Sequence, residues 1–341
     1  MNSAGRIKRI IPEYAIPGAE ISIECEGFNT QPSGEHVAYL DGQRCRITAA
    51  SPRRILATLP DIDINGKSSI QLGSAGIETE PARITVGRML ADNMHIVANP
   101  AVDPKDDSLV FTRSGSRGQQ LSSTLFRLET DGYLDELPVE IMNPTGIAFD
   151  PHGDLFVTNR AEGQVCRIER GEDAVVFATG LGIATGIAFD SDGTMYVGDR
   201  SGTIYRIPEP ALPSPFATVE PSVAAYHMAF GPDGRLFVTA PGLASHDAVY
   251  AVDKTGRVER FFRGLGRPQG LAFDTDGNLY VAACYRGKHG IVRISRDSES
   301  AELFVAGNNI VGIAFTRNGE MIVATNDSLY SLNVGIYGTL L

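Results

Sequence analysis

The chain has 341 residues and a hydrophobic fraction of 43%, enough for about two globular domains of ordinary composition. Its formal net charge of −11 argues against a general nucleic-acid-binding role, because such binding relies on Lys and Arg to neutralise phosphates. No apolar stretch approaches the roughly 18 residues that a membrane-spanning helix needs. The opening segment MNSAGRIKRIIPEY lacks an apolar signal core, so we expect a cytoplasmic protein, or an exported one whose signal has been removed.

Residues 7–86 contain short runs of alternating apolar and polar residues, separated by Pro and Gly, as is typical of β-strands. In one such run Ile21 and Ile23 fall on one face, whereas Ser22 and Glu24 fall on the other. About seven short strands in this length suit a small immunoglobulin-like sandwich. We therefore predict a first domain over residues 1–87 and a second over 88–341, joined by a segment near 87–95.

Short motifs in this first segment carry a family resemblance. They are Ile10-Ile11-Pro12, Pro17-Gly18, Gly27-Phe28 and Leu59-Pro60. In this order and spacing the segment resembles the IPT/TIG family of immunoglobulin-like domains. The resemblance implies a spacer or interaction module that can dock a partner, and not a catalytic domain.

The four cysteines show no CxxC pair. Cys25 and Cys45 lie in the same small domain, where a disulfide in an oxidising compartment is one alternative. The other is that all four thiols, with Cys166 and Cys284, are reduced, and the composition favours it.

One strand pattern recurs through the last two-thirds of the chain, with a weaker first copy at Asn99 (NPAVDPKDDSLVFTRS). Its landmark residues are spaced by 40, 41, 43 and 42 positions; they are Gly146, Gly186, His227, Gly270 and Gly312. A period near forty made of short strands is typical of β-propeller blades. The sequence thus predicts an all-β protein, with the immunoglobulin-like sandwich followed by a six-bladed β-propeller.

Each copy predicts four antiparallel strands, which in the copy at Asn143 are TGIAFD, DLFVTN, QVCRIER and AVVFATG. Asp150 and Gly153 recur at fixed offsets in the first turn. There we expect the Asp side chain to cap the turn and the Gly to adopt positive φ. The outermost strand of the last blade is predicted either from residues 337–341 or from residues 89–96.

The stretches PTGIAFD (144–150), LFVTN (155–159) and YVGD (196–199) resemble NHL-repeat propellers. The repeat region is also similar to the six-bladed family of gluconolactonases and regucalcin-like proteins. The first resemblance implies an interaction platform, and the second implies a metal-dependent lactone hydrolase.

In a propeller, the starts of the innermost strands and the loops between second and third strands meet on one face beside the channel, where ligands collect. The Tyr226-His227 pair also breaks the repeat, because three other copies carry Thr-Gly or Gln-Gly there. Arginine suits bidentate binding of carboxylate or phosphate, so we predict a site for a small anionic or polyhydroxylated ligand, or a peptide. The candidate ligand-binding residues are Asn99, Arg117, Thr145, Asn159, Arg160, Thr185, Asp199, Arg200, Tyr226, His227, His246, Gln269, Tyr285, Arg286 and His289.

Several of these residues have a structural alternative. Arg160 and Arg200 directly follow Asn159 and Asp199, and the pattern favours ion pairs that tie adjacent blades together. For His227 it favours a hydrogen-bonded residue that fills the channel.

The gluconolactonase resemblance implies a divalent cation that polarises a lactone carbonyl and activates water. The family's first-strand Glu has no counterpart here, which leaves as candidate oxygen or nitrogen donors Asn99, Asn159, Asp199 and His227. A zinc site at His227, His246 and His289 is the other metal alternative, and a related amidating lyase uses channel histidines in this way. Between a bound calcium or zinc ion and the absence of any cofactor, the pattern favours the absence of a cofactor.

The function that the sequence favours is a propeller that binds a small molecule, protein or peptide on its channel face. A lactonase-like hydrolase with a divergent site is the alternative, and a Cys284–His289 nucleophile pair is a further possibility. No GxSxG elbow, P-loop or dinucleotide fingerprint is present.

Overall fold

The computed structural model describes residues 5–27, 36–64, 66–74, 77–115, 121, 123–169, 174–208, 212–243 and 246–339. Within these ranges the chain forms β-strands and no helix, and hence no helix with the length and apolar character to cross a bilayer. The strands form an all-β, propeller-like arrangement preceded by a smaller set of N-terminal strands. The candidate residue Arg117 lies outside the described ranges.

The N-terminal strands form two antiparallel layers. The strands are β1 (Arg6–Ile11), β2 (Tyr14–Ala15), β3 (Glu20–Glu26), β4 (His36–Leu40), β5 (Gln43–Ser51), β6 (Arg54–Thr58), β7 (Gly66–Ser74), β8 (Ile77–Glu78) and β9 (Ala82–Val86), followed by β10 (Arg88–Ala91). One layer pairs β1, β3, β6 and β5, and the other pairs β5, β4, β7 and β9. Strand β5 therefore belongs to both layers.

A compact apolar core lies between these layers. Ile21 and Ile23 are fully buried, as the alternating pattern predicts, and pack with residues of the facing strands such as Leu40 and Leu72. Cys25 and Cys45 are buried in the same core as free thiols, and Cys166 and Cys284 are also free. Burial raises the pKa of the Cys45 thiol to about 11.

The repeat region begins with three separate four-stranded antiparallel sheets. Their strands are β11 (Ala101–Val102), β12 (Leu109–Thr112), β13 (Leu125–Leu128) and β14 (Leu134–Leu137); β15 (Pro144–Phe149), β16 (Leu155–Asn159), β17 (Gln164–Ile168) and β18 (Ala174–Ala178); and β19 (Ala184–Phe189), β20 (Met195–Asp199), β21 (Thr203–Ile207) and β22 (Ser214–Thr218). The second sheet lies on the four segments predicted from the copy at Asn143.

The next eight strands repeat the same antiparallel order twice. They are β23 (His227–Phe230), β24 (Leu236–Thr239), β25 (Asp247–Val252) and β26 (Val258–Gly266), then β27 (Leu271–Phe273), β28 (Leu279–Tyr285), β29 (Lys288–Ile294) and β30 (Ala301–Ala306). The end of β26 also pairs with β28, where Leu265 faces Tyr285 and Gly266 faces Cys284. This pairing joins the two runs, and pairing of β30 with β2 continues the sheet to the N-terminal strands.

The last sheet contains strands from both ends of the repeat region. Its strands β31 (Ile310–Phe315), β32 (Glu320–Thr325) and β33 (Leu329–Asn333) are followed at the outer edge by β10, which pairs antiparallel with β33. Of the two predicted closing segments, the one near residues 89–96 thus supplies this strand. The residues at the end of the described chain contact β27, where Thr339 donates its backbone N–H to Phe273 O at 3.0 Å.

The turns between the first and second strands form as the repeat predicts. Asp150 Oδ1 accepts the backbone N–H groups of His152 and Asp154 at 2.9 and 2.8 Å, and Gly153 has φ +80°. Asp190 and Gly193 repeat this arrangement in the next copy. The structural role predicted for these Asp and Gly residues is confirmed.

The first strands β11, β15, β19, β23, β27 and β31 surround one central cavity of about 140 Å³. Each contacts the next, and β11 contacts both β15 and β31, so the circle of contacts closes. The ideal Cβ of an alanine at Gly146 lies 2.2 Å from Thr185 O on the next first strand. Only glycine fits this close approach, which explains the landmark position of the repeat.

The N-terminal strands dock on the repeat region through backbone pairing and packing. Strand β2 runs parallel to both β9 and β30. Ile16 is 2% exposed and belongs to the apolar cluster of β28–β33. Asn308 Nδ2 donates to Gly18 O at 3.1 Å, so the two parts of the chain share both an apolar and a polar contact.

Candidate functional site

The connections that enter the first strands meet the turns between second and third strands on one side of the ring, which we call the upper face. Backbone hydrogen bonds join the two sets: Arg160 N–H to Asn143 O, Arg200 N–H to Ile183 O, and Asn326 N–H to Asn309 O. The sequence prediction that these elements share a face is therefore correct. The Asp-Gly turns lie on the opposite, lower face.

A pocket of about 500 Å³ opens on the upper face between the β27–β30 strands and the β31–β33 sheet. Its polar lining residues are Arg267, Gln269, Cys284, His289, Asn309 and Asn326. Small residues, among them Gly266, Gly290 and Gly307, form much of the remaining wall. Of the predicted ligand-binding residues, the structure brings Gln269 and His289 together here.

The hairpin of β28 and β29 forms one wall of this pocket. Its turn consists of Arg286 (φ +50°) and Gly287 (φ +77°), and two successive positive φ values are typical of the type I′ turns that close two-residue hairpins. Cys284 and His289 face each other across the hairpin and both line the pocket. Neither side chain hydrogen-bonds to the other within the described structure, so no activated nucleophile pair is formed.

The opposite wall contains two residues that the sequence did not single out. Arg267 and Asn309 each stand two positions before the predicted strand-start residues, with φ of +47° and +56°. Asn143 occupies the same repeat position with φ +52°. Asn tolerates the left-handed region, whereas for Arg it costs of order 1 kcal/mol, and such strain is concentrated at functional sites.

The polar side chains of the pocket have no intramolecular partners among the described residues. The amides of Gln269, Asn309 and Asn326 make no side-chain hydrogen bonds there. The exposed Arg267 guanidinium forms no ion pair among the described residues, and the nearby Asp247 carboxylate accepts the Arg267 backbone N–H at 3.3 Å. The backbone at Gln269 is nevertheless fixed, because its N–H donates to Ala282 O at 2.8 Å and its carbonyl accepts from Thr239 Oγ1 at 2.7 Å. The pocket thus presents free donors and acceptors on a rigid frame.

Other predicted residues lie on the upper face but outside the pocket lining. Arg286 stacks over the Tyr285 ring at 5.0 Å to the centroid, at the tip of the hairpin. Arg200 donates from Nη2 to Val223 O at 3.0 Å, so it ties two sheets through a backbone carbonyl. Arg160 makes no ion pair within the described residues; burial and the nearby Arg200 charge lower its pKa. His246 is exposed just before β25.

Thr145, Thr185 and Tyr226 are buried in the ring. Thr185 Oγ1 donates to Gly198 O at 3.2 Å and accepts the Tyr226 N–H at 3.1 Å. The Tyr226 side chain packs over Gly198, whose ideal Cβ lies 3.0 Å from Tyr226 Cδ2. Three other copies have a threonine where β20 has this glycine, at Thr112, Thr158 and Thr239. The bulky Tyr226 therefore fills space that the neighbouring sheet leaves open.

The four candidate cation ligands do not fit a metal site. Asn159 Oδ1 accepts two backbone N–H groups of its own turn, and Asp199 accepts those of Ile183 and Ser201 together with the Ser201 hydroxyl. Asn99 bridges two neighbouring strands: its Nδ2 donates to Leu271 O, and its Oδ1 accepts the N–H of Ile313.

Burial lowers the pKa of His227 to about 4, so its imidazole is neutral at pH 7. It is 4% exposed and lies in the ring wall, apart from the exposed His246 and His289. Among the described residues no three His, Cys, Asp or Glu side chains lie close enough together to hold a metal ion. The predicted zinc trio is therefore not formed.

Comparison with known sequences gives one short family match. A model for the N-terminal part of strictosidine synthase-like proteins matches residues 186–207, which run from β19 to the end of β21. No curated protein sequence matches the chain.

Comparison with solved structures shows the fold. An auxiliary nutrient binding protein from Bacteroides ovatus is similar over 98% of this chain and 97% of its own, with 13% identity and a TM-score of 0.55. A gluconolactonase from Xanthomonas campestris is similar over 74% of this chain and 90% of its own, with 16% identity and a TM-score of 0.59. Virginiamycin B lyase from Staphylococcus aureus follows with 79% and 92% coverage, 15% identity and a TM-score of 0.53. These relationships place the chain among all-β propellers.

Proposed function

We propose that this protein binds a small polyhydroxylated anion, of the sugar-acid class, in the upper-face pocket beside Arg267. The observation that carries the proposal is a set of polar side chains, Gln269, Asn309 and Asn326 beside the Arg267 guanidinium, that have no side-chain partners among the residues that the structure describes. A guanidinium pairs with a carboxylate through two parallel hydrogen bonds. Each primary amide offers both a donor and an acceptor, which suits neighbouring hydroxyl groups.

The size and rigidity of the pocket support the same class of ligand. A volume of about 500 Å³ lies within the usual range for small-molecule sites. The walls are a short-turned hairpin and strand starts, so little backbone ordering opposes binding. The B. ovatus neighbour, similar along nearly the whole chain, is described as an auxiliary nutrient binding protein, which favours binding over catalysis.

For the architecture we propose a six-bladed propeller preceded by an immunoglobulin-like, IPT/TIG-type domain. The closed circle of six first strands and the two-layered N-terminal core support this reading. We place the domain boundary at residues 87 and 88, because Gly87 separates the last N-terminal strand from β10, the outer strand of the last sheet.

Lactone hydrolysis is the second candidate, favoured by likeness to a gluconolactonase over 74% of the chain. The predicted oxygen donors are engaged in structural hydrogen bonds, so a hydrolase here would need a different set of catalytic groups. We therefore rank it second.

Isothermal titration of the full-length protein with galacturonate and glucuronate, compared with galactose and glucose, tests the proposal. We expect an acid to bind and its neutral parent to bind at least about tenfold more weakly, because the charge-assisted pair is lost. Arg267→Gln should remove this preference. Arg263→Gln, an exposed arginine on β26, is the matched control and should keep it.

Two results contradict the proposal. One is equal affinity for acids and neutral sugars in both the wild type and Arg267→Gln. The other is steady hydrolysis of gluconolactone above the uncatalysed rate, followed by acid release, which would bring the hydrolase candidate forward.

A further inference from the structure

A second exposed surface on the upper face lies away from the pocket, across the β15–β18, β19–β22 and β23–β26 strands. We call it the apolar–basic strip, and it consists of Met142, Arg160, Ile183, Arg200, Val223 and Leu243. Its four apolar side chains are 51%, 45%, 45% and 94% exposed in chain order. Large apolar side chains grouped on one surface of a soluble domain mark interaction sites.

Hydrogen bonds join the strip in two groups of residues, and the charge interaction between Arg160 and Arg200 shows that these groups lie side by side. Arg200 N–H donates to Ile183 O at 3.2 Å, and its Nη2 donates to Val223 O at 3.0 Å. Val223 N–H in turn donates to Pro241 O at 3.0 Å, two residues before Leu243. Met142 adjoins Asn143, whose carbonyl accepts the Arg160 N–H at 3.4 Å.

The strip concentrates positive charge in a protein whose net charge is −11. Arg160 and Arg200 are close enough to repel each other, and neither has a carboxylate within ion-pairing distance among the described residues. Asp199 is occupied by the N–H groups of Ile183 and Ser201 and by a hydroxyl. Glu162, on the same turn as Arg160, accepts a hydrogen bond from Asn159 Nδ2 at 3.2 Å.

Two half-buried cations that repel each other without a counter-charge are unfavourable unless a partner supplies negative charge. We propose that the apolar–basic strip docks an extended protein segment that carries acidic residues between apolar ones. Its carboxylates would pair with Arg160 and Arg200, and its apolar side chains would cover Met142, Ile183, Val223 and Leu243. Charge complementarity of this kind sets the choice of partner, and buried apolar anchors supply affinity.

A protein segment fits this strip better than a lipid surface or a nucleic acid. Attachment to anionic membranes draws on clusters of several basic residues, and phosphate backbones likewise require many cations. The strip has two, set among apolar side chains. This proposal is independent of the sugar-acid pocket, which lies between the β27–β30 strands and the β31–β33 sheet.

Selection from a random peptide library displayed on phage, with the full-length protein as bait, tests the inference. We expect selected peptides to be enriched in Asp or Glu together with Leu, Met or Phe. A synthetic copy of the strongest peptide should bind Arg160→Gln and Leu243→Ser at least about tenfold more weakly. Arg263→Gln, outside the strip, should bind it like the wild type, and galacturonate should not compete.

Arg160→Gln also separates recognition from folding. The Arg160 side chain donates no hydrogen bond within the described structure, so its loss should leave the melting temperature unchanged or raise it. Selected peptides without acidic residues, or unchanged binding to both strip variants, would overturn the proposal. The proposal would also be overturned if the wild type bound phosphatidylserine vesicles and not peptides, and if Arg160→Gln lost that binding. The strip would then recognise lipid.

Discussion

Asn99 occupies the repeat position that glycine fills at Gly146, Gly186, Gly270 and Gly312, and its side-chain amide hydrogen-bonds to the backbone of neighbouring strands. Its Nδ2 reaches Leu271 O and its Oδ1 reaches the N–H of Ile313, both at 3.0 Å. These bonds satisfy backbone groups of two neighbouring first strands that water reaches poorly. At the scale of the residue, Asn99 joins the first and last copies of the repeat.

Asn99→Ala should lower the free energy of unfolding by about 2 kcal/mol, because it leaves a carbonyl and an N–H without partners. Asn99→Asp should also destabilise the protein, since a carboxylate cannot donate to Leu271 O. Urea denaturation measures both. Asn326 is exposed on the upper face, so Asn326→Ala is the control. An Asn99→Asp protein as stable as the wild type would argue against the bridging role.

His227 should make stability depend on pH. Its pKa of about 4 lies below the ordinary value of 6.5, so between these values the unfolded chain binds the proton more readily. The contribution of His227 to the free energy of unfolding is fully present above about pH 6.5. It is lost as the pH drops toward 4, by roughly 3 kcal/mol in total. His227→Gln should lose this dependence of the unfolding free energy on pH, whereas His289→Gln should keep it. Equal slopes of unfolding free energy against pH in the wild type and both variants would show that His227 is protonated in the folded protein.

At the scale of the element, the first strands are held by close approach and by threonine hydroxyls at the ends of the second strands. Thr158 Oγ1 donates to Thr185 O at 3.0 Å, and Thr239 Oγ1 donates to Gln269 O at 2.7 Å. Both bonds cross from one copy of the repeat to the next. Together with Gly146, they set how near neighbouring first strands lie.

Gly146→Ala should cost about 3 kcal/mol of unfolding free energy, since its Cβ would lie 2.2 Å from Thr185 O and the strands would have to separate. Gly193→Ala is the matched control. There the added Cβ meets nothing within 4 Å and only the positive φ is penalised, by about 1 kcal/mol. If both variants lose a similar amount of unfolding free energy in chemical denaturation, the close approach of the first strands does not limit stability at Gly146.

The repeat period, strand order and Asp-Gly turns follow from local pattern, so the sequence predicts them well. The position of Tyr226 does not, because its cause is Gly198 on another strand, and only the assembled ring brings the two together. Two of the candidate residues, Gln269 at a strand start and His289 beside a hairpin turn, line the pocket. The sequence analysis does not single out Arg267 and Asn309, although Asn143 at the same repeat position signals a left-handed residue there.

At the scale of the whole molecule, the N-terminal strands support the pocket. Ile16 packs against Gly307, whose ideal Cβ lies 2.9 Å from Ile16 Cδ1, and Gly307 lines the pocket. Ile16 N–H also donates to Ala306 O at 2.9 Å. The wall that contains Asn309 is thus fixed from outside the repeat region.

Ile16→Ala should lower the unfolding free energy by about 3 kcal/mol through the cavity it creates, and should weaken sugar-acid binding severalfold. Ile62→Ala, 40% exposed, is the control and should change neither. Calorimetric melting and titration measure both effects. Full stability and full affinity in Ile16→Ala would show that the N-terminal strands do not support the site.

The central claim is that the pocket beside Arg267 binds a sugar acid, and a crystal structure of the protein soaked with galacturonate tests it most directly. We predict density for the ligand between the β28–β29 hairpin and the start of β31, with its carboxylate within hydrogen-bonding distance of the Arg267 guanidinium. Its hydroxyls should contact the amides of Gln269, Asn309 or Asn326. An empty pocket at saturating ligand, or ligand bound elsewhere on the ring, would contradict the account.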